Sequence, residues 1–171
     1  MERVSSRAAV GKKDPSAEAT PEEAYKAALA LLARRDFSSL ELKKRLESRG
    51  FDADVASATI AELQRRRLLN DSRFAESYVA AHVRRGHGPV RIAADLKALG
   101  LPAETINAAL DSGPDWPALA RQARARRFGP RVPATWAERA RQARFLQYRG
   151  FSSDHIRAAL GGDFDPDEQV S

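Results

Sequence analysis

Three imidazoles, His82, His87 and His155, are the side chains of this chain best suited to proton transfer or metal ligation. None stands in a pattern that either chemistry needs. His82 continues the apolar stripe Phe74, Tyr78, His82, four residues apart, so it reads as a packed ring rather than a ligand. His87 falls in a glycine turn and His155 in the first turn of a helix. There is no H-E-x-x-H, no glycine loop able to cradle phosphate and no nucleophile elbow. The acids read as helix caps and solvated pairs. With no cysteine, disulfides and thiolate zinc sites are excluded. The expectation is a protein that is not an enzyme and takes no cofactor and no metal.

The cations carry the signal. Lysines and arginines number 29 against 23 acids, for a net charge of +6. Residues 116–150 hold nine arginines, at 121, 124, 126, 127, 131, 139, 141, 144 and 149, against the single acid Glu138. Arginine grips phosphate and carboxylate bidentately, so such density favours a polyanion or an acidic protein surface over a merely solvated face. The candidate basic face comprises Lys43, Lys44, Arg84, Arg85, Arg91, Lys97, Arg121, Arg124, Arg126, Arg127, Arg141, Arg144 and Arg149. Aromatics fall mostly at core spacing, with Trp136 and Tyr148 the least settled. No recognition helix or RNA-binding sheet motif is visible, which argues against sequence-specific reading.

The elements that must position these cations are short helices. In residues 71–101, Phe74, Tyr78 and His82 mark one helix, which Asp71 can cap and which Arg84 and Arg85 close. Gly86 and Gly88 end it, Pro89 starts the next, and Gly100 stops that one. Thr20, Pro21 and Glu23 form a capping box, and Ser39 and Asp52 can cap two further helices. Leu42 and Leu46 point inward.

Gly50, Gly100 and Gly150 are spaced 50 residues apart, and their surroundings agree. Leu46, Leu96 and Leu146 precede them in the same column. Phe51, Leu101 and Phe151 follow, then an acid (Asp54, Glu104, Asp154) and an apolar pair (Ile60, Leu110, Leu160 closing each). The period defines an internal repeat of three-helix units. The fold class is therefore all-α, a tandem repeat of three three-helix units. The units cover residues 21–69, 70–114 and 115–160, between an N-terminal arm at 1–20 read as disordered and an acidic tail at 161–171. The third unit carries a Pro- and Gly-rich insertion, F-G-P-R-V-P-A-T, between its first two helices.

The middle unit, with Asn70, Asp71, Arg73, Phe74, Ala75, Tyr78, Val79, Gly86, Gly88, Pro89, Arg91, Ile92, Leu96 and Gly100-Leu101, resembles the signature of the RecX regulatory proteins. The run R-F-L-Q-Y-R-G-F-S-S-D-H-I at 144–156 is similar to that family's last repeat, and residues 22–49 to its first. The resemblance implies an elongated, curved body that binds the RecA recombinase, mainly as the filament on single-stranded DNA. It implies inhibition of filament extension, ATP hydrolysis, strand exchange and co-protease activity, and hence negative modulation of recombination and the SOS response. It implies no catalytic residues, weak direct DNA binding and a monomer.

The rival reading is a stand-alone, non-specific nucleic-acid-binding helical protein that acts by competition for DNA. A third is an adaptor whose basic face meets acidic protein alone. No apolar run approaches a membrane span and no signal-peptide core is present, so a cytoplasmic protein is expected.

Overall fold

A computed structural model describes residues 20–161; the arm at 1–19 and the acidic segment at 162–171 lie outside the described residues. Among the described residues all regular structure is helical: α1 (Pro21–Leu32), α2 (Ser39–Glu47), α3 (Ala53–Arg65), α4 (Asp71–Arg84), α5 (Pro89–Ala98), α6 (Ala103–Asp111), α7 (Trp116–Phe128), α8 (Trp136–Arg149) and α9 (Ser153–Leu160). The caps explain the starts. Thr20 and Glu23 form the expected box on α1. Asp52 accepts from the Asp54 amide on α3, and Asp115 accepts from the Ala118 amide on α7.

Two caps differ from the sequence reading by one residue. Asn70, not Asp71, caps α4, accepting from the Arg73 amide at 3.0 Å. Ser38, not Ser39, caps α2. Asp71 is diverted to a contact between units, described below, while the Ser39 hydroxyl accepts from Gln64 Nε2 at 2.9 Å within its own unit. The glycines of the 50-residue period all end their helices with positive φ: 92° at Gly50, 84° at Gly100 and 91° at Gly150. A side chain there would meet its own carbonyl, which is why glycine recurs in that column.

The most extensive helix packing is within each unit: α1–α3, α4–α6 and α7–α9 each close on themselves. Three separate cores result. Leu42, Leu46 and Leu63 are fully buried in the first, Ile92 and Leu96 in the second, Leu146 and Leu160 in the third. Each such side chain contributes roughly 1.5–3 kcal/mol of burial. Trp116 packs against both the second and third cores and donates its indole N–H to the Leu110 carbonyl at 3.3 Å. His82 is half-buried; its ring stacks on Tyr78 at 3.8 Å and its Nδ1 lies 2.9 Å from the Tyr78 carbonyl.

The units meet through their middle helices, end to end. The Gly88 amide donates to the Arg149 carbonyl at 2.8 Å and the Val90 amide to the Gly150 carbonyl at 3.0 Å. Thus the orphan amides that open α5 are satisfied by carbonyls that close α8, and the two helix dipoles line up. The same relation recurs one unit earlier. Ser38 Oγ, at the start of α2, donates to the Leu99 carbonyl at the end of α5 (2.7 Å), and Leu40 lies over Gly100. The Ser39 amide donates to Asp71 Oδ1 at 2.8 Å, which is where the displaced Asp71 carboxylate goes. The rod α8–α5–α2 therefore runs through all three units. Its last end is open, because a side chain placed on Gly50 would meet nothing within 4 Å.

Candidate polyanion interface

The junction of units two and three also forms a cleft of about 240 Å³. Its α4 wall ends in Arg84, Arg85, Gly86 and His87; its α7 wall carries Leu119, Gln122, Ala123, Arg126 and Arg127. Phe145, Arg149 and Phe151 close it. The floor is apolar and the rim is guanidinium. Helix geometry explains the assembly. Arg84 and Arg85 sit at the carbonyl end of α4, and Arg126 and Arg127 at the carbonyl end of α7, where the dipole favours cations. The α8–α5 junction then brings these two helix ends face to face.

No carboxylate lines this cleft. Among the described residues the ion pairs are Lys26–Glu22, Arg35–Glu41, Lys43–Glu47, Arg65–Glu62, Arg66–Glu62 and Arg157–Asp154. All but the last lie in unit one, and none uses a cleft arginine. The cleft arginines are thus left available to an outside anion. His87 is half-buried beside it, and burial, followed by the charge of Arg91, holds its imidazole below the ordinary value of 6.5.

The remaining candidates divide. Arg141 and Arg144 are exposed on one face of α8 with Tyr148, which is 79% exposed. Arg127 and Arg141 flank the Phe128 ring at 5.5 and 5.3 Å, joining this face to the cleft. Trp136 is also exposed, at 55%. Arg91 is exposed at the α8–α5 junction, against Gly150. Lys97 lines a different groove, between α5 and α6, and Arg121 is exposed on α7 outside the cleft. Lys43 is half-buried 3.8 Å from Glu47. Lys44 joins Arg34, Arg35 and Arg45 around a second basic hollow that also contains Glu41. Sequence reasoning left Arg34, Arg35 and Arg45 out of the face; their link to Lys44 depends on how the α1–α2 turn folds.

Arg124 is a correction. Expected on the basic face, it is 5% exposed. Its guanidinium donates to the carbonyls of Arg131 (2.8 Å) and Pro130 (3.2 Å), and lies 3.5 Å from Gln142 Oε1. It holds the inserted loop onto α7 and α8. Arg139 does likewise, donating to the Pro133 carbonyl at 3.3 Å. Arg149 has a mixed role: it lines the cleft, and it also donates to the Arg85 carbonyl at 3.0 Å and lies over Phe145. A loop with two prolines offers carbonyls without matching amides, so nearby arginines are drawn to it.

Sequence profiles of the RecX first, second and third three-helix domains match residues 24–63, 70–110 and 115–160 respectively. The chain is 44% identical over 152 residues to the regulatory protein RecX of Halorhodospira halophila, covering 88% of this chain and 94% of that one. It is 41% identical over 136 residues to the regulatory protein RecX of Pseudomonas fluorescens, covering 79% and 88%. The chain belongs to the RecX family. The crystal structure of RecX from Lactobacillus salivarius superposes with a TM-score of 0.71 at 24% identity, covering 82% of this chain and 94% of that one, and so supports the shared fold. A regulatory role follows for this chain. The family profiles also fix the unit order that the glycine period indicates. Among the described residues no group of three or more His, Cys, Asp or Glu is placed to hold a metal, and no helix is long and apolar enough to cross a membrane.

Proposed function

We propose that this RecX-family chain binds the RecA recombinase, chiefly as its filament on single-stranded DNA. There it restrains extension, ATP hydrolysis, strand exchange and co-protease activity. The observation that carries this reading is the cleft between units two and three, where Arg84, Arg85, Arg126, Arg127 and Arg149 converge without a carboxylate. Membership of the RecX family supports RecA as the partner. The end-to-end rod of middle helices supplies reach, because units joined in line can touch successive filament protomers. A second contact made by the same rigid chain gains effective concentration from the first. Bridged protomers are held in a fixed relation, which opposes the rearrangements of ATP turnover.

The deciding experiment replaces Arg126 and Arg127 by Ala and measures inhibition of the RecA ATPase on single-stranded DNA, with cosedimentation of filament and protein. Weakened inhibition with a folded protein supports the reading. Unchanged inhibition removes the cleft from the mechanism. Equal affinity for naked DNA and for the filament would favour simple competition for DNA instead.

A further inference from the structure

We propose that the cleft between units two and three is also the docking site of the chain's own acidic segment, residues 163–168. The segment then competes with the external polyanion for the same arginines. The competition rests on the function proposed above; the docking rests on the cleft and the segment alone.

Three observations carry it. First, five guanidiniums line one cleft with no acid among its lining residues. Like charges held this close repel, and an anion at their centre relieves it. Second, residues 162–168 read G-D-F-D-P-D-E. Asp163, Asp165, Asp167 and Glu168 surround the single aromatic Phe164. The cleft has the complementary build, with an arginine rim over an apolar floor of Leu119, Phe145 and Phe151. Acid with acid would repel, but acid with guanidinium pairs bidentately, and the aromatic gives the segment an anchor that a plain acidic run lacks.

Third, the reach is sufficient. Helix α9 begins at Ser153, two residues after the cleft residue Phe151, and ends at Leu160. Eight helical residues rise about 12 Å. A chain of five or six residues leaving Gly161 spans up to about 17–20 Å, so it can return along α9 and place its carboxylates at the rim. Tethering sets an effective concentration near the millimolar range, so even a weak docked contact is populated. Docking for nine-tenths of the time would lower the apparent affinity for an external polyanion about tenfold.

The test compares the full chain with a form ending at Gly161. Amide chemical shifts of the two are compared first. Differences concentrated at 83–87, 122–127, 145 and 151, and diminished in the full-length Phe164→Ala variant, establish the docking. Differences confined to 156–161 overturn it. Binding of a labelled oligo-thymidylate is then measured on both forms at low and high salt. Tighter binding by the shortened form at low salt, converging at high salt, establishes the competition. If neither form binds the oligonucleotide or the filament, the function proposed above fails while the shift comparison still decides the docking. Equal binding by both forms, with the shifts showing a docked segment, overturns the competition.

Discussion

The Gly88 amide lies 2.8 Å from the Arg149 carbonyl, and a Cβ on Gly88 would stand 2.3 Å from the Gly150 carbonyl oxygen. Backbone meets backbone here, with no side chain able to yield. Gly88 has φ of −90°, an ordinary value, so its glycine is required by close approach rather than by conformation. Gly88→Ala should therefore lose about 1–3 kcal/mol by overpacking, measured by denaturant unfolding. A change within about 0.5 kcal/mol, the usual range for a neutral surface substitution, would show that the α8–α5 junction does not hold in solution.

Arg124 should behave as a structural residue. Arg124→Met deprives the Pro130 and Arg131 carbonyls of their donor, at a cost of about 1–3 kcal/mol. Limited proteolysis within 129–135 should accelerate. Affinity for single-stranded DNA should stay unchanged under conditions where the variant is folded. A large fall in affinity with unaltered stability would return Arg124 to the binding face.

Phe74 is 9% exposed and sits in the core of unit two beside Tyr78, whose ring centroid is 6.0 Å away. Phe74→Ala should cost about 3–5 kcal/mol. A loss well under 1 kcal/mol, read from the unfolding midpoint, would mean that this core is held by its aliphatic residues alone.

The imidazole of His87 is held below its ordinary value, first by burial and then by Arg91. The unfolded chain therefore binds a proton more readily than the folded one in the window just below pH 6.5. Stability is at its full value above that window and declines as pH falls through the folded value. His155, also held low by burial, acts in the same direction. The His87→Gln variant should lose less stability between neutral and mildly acidic pH than the parent. Parallel curves for the two would show that His87 does not report on the fold.

If the cleft arginines hold phosphates, salt should reveal how many. On single strands each phosphate contact adds roughly 0.7 to the log–log salt slope, so replacing Arg126 and Arg127 by Ala should lower it by about 1.4. Replacing Lys43, which already pairs with Glu47, should change it little. An unaltered slope in the double variant would place the phosphates elsewhere.

Much of the architecture was legible because it repeats. Leu46, Leu96 and Leu146 are each fully buried, as their shared column requires, and the glycine that follows each takes a positive φ. Periodicity and capping are local, so the chain states them outright. The cap of α4 was missed by one residue, at Asn70, because the neighbouring Asp71 carboxylate is needed by another unit.

The sequence by itself determined three all-helical units, their inward leucines and the excess of arginine in the third. Only the tertiary structure decided which arginines share a surface. Arg84 and Arg126 are far apart along the chain and meet because α8 closes onto the start of α5. Arg124 lies two residues from Arg126 yet turns inward to the prolines' unmatched carbonyls. Charge is a property of composition, but its direction depends on which backbone groups elsewhere in the fold still lack a hydrogen-bond partner.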